Sequence, residues 1–350
     1  MRADESQGIA PAAFSAADRR CLDRPSRYTS SMTMVHRDVA GPCLAPQGSV
    51  ACIGAFDGVH RGHQAVLERV RERAADLRAT PVAVTFAPIP RAYFAEVPQL
   101  ASPREKIRAL IGAGMERVLL LRFNAALAAM TAEDFIAKVL VERLRAREVW
   151  IGEGFHFGHE RKGDLALLQE VGVEEFFTAG AVAPVMEDGE RISSSRIRKA
   201  LAAGEFEQAA ELLGRPFSIG GHVIRGQQLG RKLGYPTANI RLGSRVAPVG
   251  GVFAVRVHGV GDAVRPGVAS LGVRPTVASA SPKEPVLEAH LFDFDGDLYG
   301  KRIEVEFVRK LRNEEKYPDL GALRQQIDRD AIAARKILGV AARARTGVTA

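Results

Sequence analysis

Cysteine is scarce in this sequence: Cys21, Cys43 and Cys52 are its three copies, and none forms a Cys-x-x-Cys pair. An odd, scattered set gives no disulfide framework and fits a reducing, cytoplasmic compartment. Long apolar runs are missing too. Stretches such as Val118-Leu119-Leu120-Leu121 are far too short to span a bilayer and read as buried strands. The N-terminus lacks the continuous apolar core of a secretory signal. No Lys/Arg run with interleaved aromatics accompanies the net charge of +8, so the basic balance suits nucleotides and phosphorylated substrates. Neither a nucleic-acid nor a membrane partner is expected, and a homo-oligomer is compatible with the sequence. What is present is ordinary for a globular chain: 46% hydrophobic and 26% charged residues, with a length of 350 that suggests two domains.

Residues 1–47 are rich in Ala, Ser, Arg, Asp and Pro without a sustained period, and read as a mobile extension. Strand and helix then alternate. Val50 to Gly54, Val82 to Phe86, Val118 to Leu121 and Glu148 to Gly152 read as strands. Helices are expected from about Gly62 to Leu77, with Val66, Leu67, Val70 and Ala74 inward, from Pro103 to Ala113, and from Thr131 onward. This order implies an α/β domain over 48–214: a doubly wound parallel sheet that binds ligands at the carboxyl ends of its strands. Helices Ser195 to Ala203 and Phe206 to Leu213 close it. Beyond residue 215 strands follow strands, for example Ile303, Val305 and Phe307 alternating with Glu304 and Glu306. That pattern, punctuated by Gly and Pro, favours a small antiparallel β-barrel over 215–340 with a C-terminal helix from Leu320 to Leu338.

Two stretches carry chemistry. His60 and His63 stand three apart, after a strand and at the start of a helix, which puts both rings on one side of the first turn. Free helix N–H groups and two imidazoles can serve phosphate oxygens there, and Gly58 and Gly62 leave room for a nucleotide. Arg191-Ile192-Ser193-Ser194-Ser195-Arg196-Ile197-Arg198 reads either as a phosphate cradle or as an ordinary serine N-cap. In Gly234-Tyr235-Pro236-Thr237-Ala238-Asn239 there is no Walker lysine. Thr237 and Asn239 can point the same way from an extended segment and offer hard oxygens for Mg²⁺, or the segment is a polar loop between strands. His156 and His159 lack a suitable third ligand and are expected to face solvent.

The combination of Gly54-Ala55-Phe56-Asp57-Gly58-Val59-His60-Arg61-Gly62-His63 with Ile192 to Arg198 resembles the bacterial bifunctional riboflavin kinase/FAD synthetases, from about residue 49 to 338. So do the Gly234–Asn239 segment, Gly251 to Val255, Gly267 to Gly272, Arg274-Pro275-Thr276 and Leu287 to Phe294. The resemblance implies that the first domain joins FMN and ATP into FAD and pyrophosphate, with His60 and His63 on the transferring phosphate. Ser194, Ser195 and Arg198 would hold the ATP phosphates, with Arg191 assisting. It implies that the second domain phosphorylates riboflavin, with Thr237 and Asn239 on Mg-ATP, Gly234 beside the nucleotide and Glu288 as general base. The chain departs from the family pattern at Ala55 (usually Asn), at Phe86-Ala87-Pro88-Ile89-Pro90 (usually Phe-Glu-Pro-His-Pro), at Gly154 (usually Asp or Asn) and at Ser270 (commonly Asn). Ala87 and Gly154 motivate a second reading, a riboflavin kinase whose adenylyltransferase domain is weakened or inactive. A regulatory flavin-binding protein without catalysis is a third, which the intact Thr237, Asn239 and Glu288 argue against.

Overall fold

The computed structural model describes residues 34–226, 229–243, 245–273 and 285–341. The Arg274-Pro275-Thr276 segment and residues 1–33 of the expected extension lie outside them. The remaining part of that extension is not without structure. Met34–His36 (β1) add a parallel edge strand, with Val35 opposite Val118. Three residues are too few to show a period.

The sheet is completed by β2 (Ser49–Ile53), β3 (Thr80–Ala87), β4 (Arg117–Arg122), β5 (Ala146–Gly152) and β6 (Thr178–Val182), all parallel, in the order β1-β4-β3-β2-β5-β6. Every residue of β2 is buried. Alternation sends Val50 and Cys52 to one face, under Val66, Leu67 and Val70 of α1 (Arg61–Leu77). Ala51 and Ile53 go to the other face, under Phe135, Ile136, Val139 and Leu140. Both faces are therefore covered, as continuous apolar strands require. The remaining helices of this half are α2 (Pro90–Phe94), α3 (Pro103–Gly112), α4 (Ala125–Ala128), α5 (Ala132–Phe135), which runs on as a wider helical turn over Ile136–Arg143, and α6 (Leu165–Glu174). From β2 the chain moves outward through β3 and β4, then returns to the other side of β2 with β5. The order reverses at β2, which places a ligand crevice at its carboxyl end.

A small hairpin, β7 (Met186–Glu187) and β8 (Glu190–Arg191), leads into α7 (Ser194–Ala203) and α8 (Phe206–Leu213). These two helices were read from sequence as the end of the first domain. They pack in the same core as the barrel: Phe206 meets Phe253 and Phe307 at 5.7 and 6.1 Å between ring centroids. The barrel is closed and antiparallel, in the order β10-β13-β12-β11-β14-β9. Its strands are β9 (Ser218–Ile224), β10 (Ala238–Arg241), β11 (Gly251–His258), β12 (Arg265–Val273), β13 (Pro285–Leu291) and β14 (Arg302–Arg312). A short helix, α9 (Leu229–Lys232), precedes β10, and α10 (Leu320–Leu338) lies against the outer wall through Ala331 and Ala334. Full closure leaves no edge strand.

The two halves are joined through buried polar contacts. Glu105, at the start of α3, accepts from Gly220 N–H and from the guanidinium of Arg245, both at 2.7 Å, and Gln99 N–H donates to Val246 O at 2.9 Å. Burial alone would raise the Glu105 carboxyl. Arg245 and the Ser102 and Gly220 N–H groups outweigh it and hold the carboxyl below its usual range.

Candidate active sites

The chain leaves β2 through a tight turn in which Phe56, Gly58 and Val59 all have positive φ. Gly58 sits at φ +82°, and a Cβ there would come within 2.9 Å of Leu100. Both the conformation and the space demand glycine. His60 then caps α1: its Nδ1 accepts from His63 N–H at 3.3 Å. That bond commits the Nδ1 lone pair, so the proton of neutral His60 sits on Nε2. The His63 ring stacks on the His60 ring at 3.6 Å and meets Phe56 edge-on at 5.2 Å, while Gly62 passes close beside the His60 ring.

Burial, followed by the positive charges of Arg191, Arg215 and Arg198, lowers the His60 imidazole to about 4. Burial, then His60, Lys106 and Arg191, keeps His63 well below the ordinary histidine range. Both rings are therefore neutral donors at pH 7. The unfolded chain takes up protons at its histidines near pH 6.5, whereas folded His60 resists until about 4. The unfolded state thus binds more protons across this window, and stability falls as the pH drops through it, by roughly 1.4 kcal/mol per pH unit for His60. Denaturant titrations at about pH 7 and pH 5 check this: His60→Asn should flatten the slope by that amount.

The Ser193–Arg198 segment divides its labour differently from the sequence expectation. Ser193 is the N-cap of α7 and accepts from Arg196 N–H at 3.2 Å. Ser194 donates to Asp57 O at 3.0 Å, and Ser195 accepts from Arg91 at 3.1 Å. Arg198, expected on the ATP phosphates, is turned instead toward the buried carboxylate of Asp57 at 2.5 Å, and also donates to Pro98 O. Asp57 further accepts from the N–H groups of Leu100 and Ala101. The turn and α7 are thus locked to each other. Spacing could not show this, because the direction of the Arg198 side chain depends on where the 98–101 segment passes.

Arg191 differs from Arg198. It is exposed, its side chain has no hydrogen bond or ion pair among the described residues, and its charge reaches both histidines. The hairpin that carries it is held to α1 by Arg61, which binds Glu187 at 2.6 Å. Gly154 lies opposite, at φ +72°, and a Cβ there would face the Arg191 guanidinium at 3.8 Å. An Asp or Asn tolerates this conformation and would approach Arg191. The glycine leaves that cation open. Residues 151–156 with Asp164 and Leu165 line a cleft of about 230 Å³. A second hollow, about 480 Å³, lies beside Tyr93, Phe94, Gln99 and Val246. The half-exposed Tyr93 and exposed Phe94 form an aromatic cluster with Phe123 there, which no spacing in the sequence had marked. His156 and His159 are both exposed, and His159 is held by Ala128 O.

In the barrel, the register does what spacing could not show. Asn239 of β10 stands directly opposite Glu288 of β13, which in turn stands opposite Ser270 of β12. Leu287 and Ala289 point into the core with no exposure, so Glu288 lies on the outer wall, as the alternation predicts. Thr237 Oγ1 lies 3.4 Å from Glu288 Oε2. The Asn239 amide is buried against Gly226, and Gly234 turns the chain ahead of Pro236 at φ +83°. Tyr235 is tied by its hydroxyl to Asp328 of α10, and His290 holds Pro236 O at 2.8 Å. The carboxylate of Glu314, just past β14, occupies the space that a Cβ on Gly272 would take. Partial burial raises its carboxyl, Arg312 opposes that, and the charge of Glu288 adds to it. The sequence reading missed Glu314, which carries no motif of its own.

Comparison with known proteins identifies the family of each half of the chain. Residues 44–196 match the FAD synthetase family model and residues 213–338 the riboflavin kinase family model. The chain is 46% identical over 295 residues to the bifunctional riboflavin kinase/FMN adenylyltransferase of Pseudomonas fluorescens, covering 83% of this chain and 93% of that one. To the protein of the same name from Escherichia coli K12 it is 44% identical over 300 residues, covering 85% and 95%. Its structure is similar to the crystal structure of a macrolide-efflux protein from Streptococcus pneumoniae, with a TM-score of 0.68 and 28% identity, covering 86% of this chain and 98% of that one. No described helix of this chain is long and apolar enough to cross a membrane. With a synthetase-type sheet and a kinase-type barrel in one polypeptide, the chain belongs to the bifunctional riboflavin kinase/FMN adenylyltransferase family.

Proposed function

We propose that the two reactions of this enzyme are divided between the two sites just described, the barrel making FMN from riboflavin and ATP and the sheet domain making FAD from FMN and a second ATP. The observation that carries the kinase assignment is the row Asn239–Glu288–Ser270 across three adjacent strands, with the Thr237 hydroxyl beside the carboxylate. Glu288 accepts the proton of the riboflavin ribityl hydroxyl as that oxygen attacks the γ-phosphate, and ADP leaves. Thr237 and Asn239 offer neutral hard oxygens, and no cluster of three His, Cys, Asp or Glu among the described residues could hold a metal alone. That set suits Mg²⁺ arriving with the ATP phosphates, and such an ion would draw charge from the phosphate oxygens.

In the sheet domain, neutral His60 and His63 donate to the α-phosphate as the FMN phosphate attacks it and pyrophosphate leaves. Arg191 and the free N–H groups of α1 receive the triphosphate, and Ser194 and Ser195 line its path. Arg198 acts through Asp57, as a positioning residue. The rings of Tyr93 and Phe94 offer a stacking surface for the isoalloxazine, and the Gly152–His156 cleft takes the adenosine end. ATP as shared substrate and the free Cys43 and Cys52 suit the cytoplasm.

Incubation with riboflavin, ATP and Mg²⁺, with separation of the flavins over time, tests the assignment. FMN should rise first and FAD follow, and EDTA should stop both. FMN that accumulates without FAD at high ATP would favour the reading with an inactive adenylyltransferase domain.

A further inference from the structure

Lys106 is a buried cation that neither reaction, as described, employs. It lies in the first turns of α3 with 2% exposure, and among the described residues no carboxylate pairs with it. Its Nζ donates instead to two main-chain oxygens, Ala55 O at 2.9 Å and Phe86 O at 2.7 Å. Phe86 is near the carboxyl end of β3. Ala55 opens the turn after β2, and its carbonyl also accepts from Thr85 Oγ1 at 3.1 Å. One ammonium therefore joins the ends of the two central strands, directly behind the turn that carries Asp57, His60 and His63. A buried ammonium without a counter-ion costs several kcal/mol unless its donors are matched, and an apolar side chain would fill the space without that cost. The titratable groups facing it are Asp57 on the turn and the neutral His63 on α1.

We propose that Lys106 is a positioning residue for adenylyl transfer: by tying Ala55 O to Phe86 O it fixes the turn that presents Asp57 and the two histidines to the ATP phosphates. This rests on the assignment of that reaction to the 54–63 turn. The neighbouring residue makes the placement more telling. Glu105 reaches outward to Arg245 and Gly220 of the barrel, while Lys106 reaches inward, so the same helical turn seats the barrel and braces the nucleotide turn.

The test uses full-length Lys106→Met and Lys106→Gln, with FMN adenylylation and riboflavin phosphorylation measured on the same preparations. Burial lowers the Lys106 ammonium to about 8, against the pull of Asp57. The neutral amine keeps two N–H donors but loses the charge assistance, so wild-type FAD synthesis should decline above about pH 8 more than phosphorylation does. Lys106→Met should lower kcat for FAD synthesis about tenfold or more, abolish that alkaline limb and leave phosphorylation within about twofold. Lys106→Gln, which keeps a donor for one carbonyl, should recover part of the rate. If Lys106→Met adenylylates at the wild-type rate, or if both activities fall together, the proposal is overturned. Should Lys106→Met fail to fold, Lys106→Gln decides: adenylylation at the full wild-type rate, or a fall shared equally by phosphorylation, overturns it. His63→Ala separates the two levels of the account. Loss of FAD synthesis in His63→Ala with Lys106→Met unaffected would refute the role of Lys106 alone, whereas FAD synthesis that survives in both would refute the site.

Discussion

Glu288→Ala is expected to abolish almost all FMN formation and to leave the adenylylation of supplied FMN at its wild-type rate. The loss should be on the order of 10²–10⁴ in kcat, the usual worth of a positioned general base, with little change in the KM for ATP, because Thr237 and Asn239 stay in place. Stability should change little. Glu288 is on the outer wall of the barrel, and the neighbours that hold its strand, Leu287 and Ala289, remain in the core. One further change follows from Glu314. The charge of Glu288 contributes to raising its carboxyl, so the variant should titrate Glu314 nearer the ordinary carboxylate range, which NMR would follow. Normal kinase turnover in Glu288→Ala would mean that the base has been misassigned.

His63→Ala has the opposite pattern. FAD synthesis should fall on the order of 10²–10³, the cost of removing one preorganised donor to a developing oxyanion, while riboflavin phosphorylation is unchanged. The ring of His63 is the partner that stacks on His60 at 3.6 Å, so its removal also loosens the second donor. The defect should therefore exceed that of Arg191→Ala, a contact to the phosphates made through an exposed side chain. A kinase defect as large as the adenylylation defect would contradict separate sites.

How much of this could be read from residues alone follows from distance along the chain. His60 and His63 were legible because strand end, turn and helix start fall within ten residues, and a helix start fixes the side of its own first turn. Val66, Leu67, Val70 and Ala74 were legible for the same reason, since one helix face carries its own period. Asn239 and Glu288 are 49 positions apart. Their adjacency depends on the register of β10 against β13, which no local pattern encodes. The family resemblance implies that Arg198 is a phosphate ligand, but its partner in the fold, Asp57, lies 141 positions away. Glu314 and the Tyr93–Phe94–Phe123 cluster went unnoticed because each becomes a site only when a distant segment passes beside it. Gly154 reads as a loss in sequence. In space it also leaves the neighbouring Arg191 guanidinium uncovered.

The most direct measurement mixes the two defective variants. Glu288→Ala alone should make very little FMN, and His63→Ala alone should adenylylate very little of it. If the chain carries two independent sites, a mixture of the two supplied with riboflavin, ATP and Mg²⁺ should form FAD, because FMN released by His63→Ala is adenylylated by Glu288→Ala. Each variant by itself should form FAD from riboflavin at least about a hundredfold more slowly than the wild type. A mixture that forms no FAD, or a single variant that completes both steps at the wild-type rate, would contradict two independent sites.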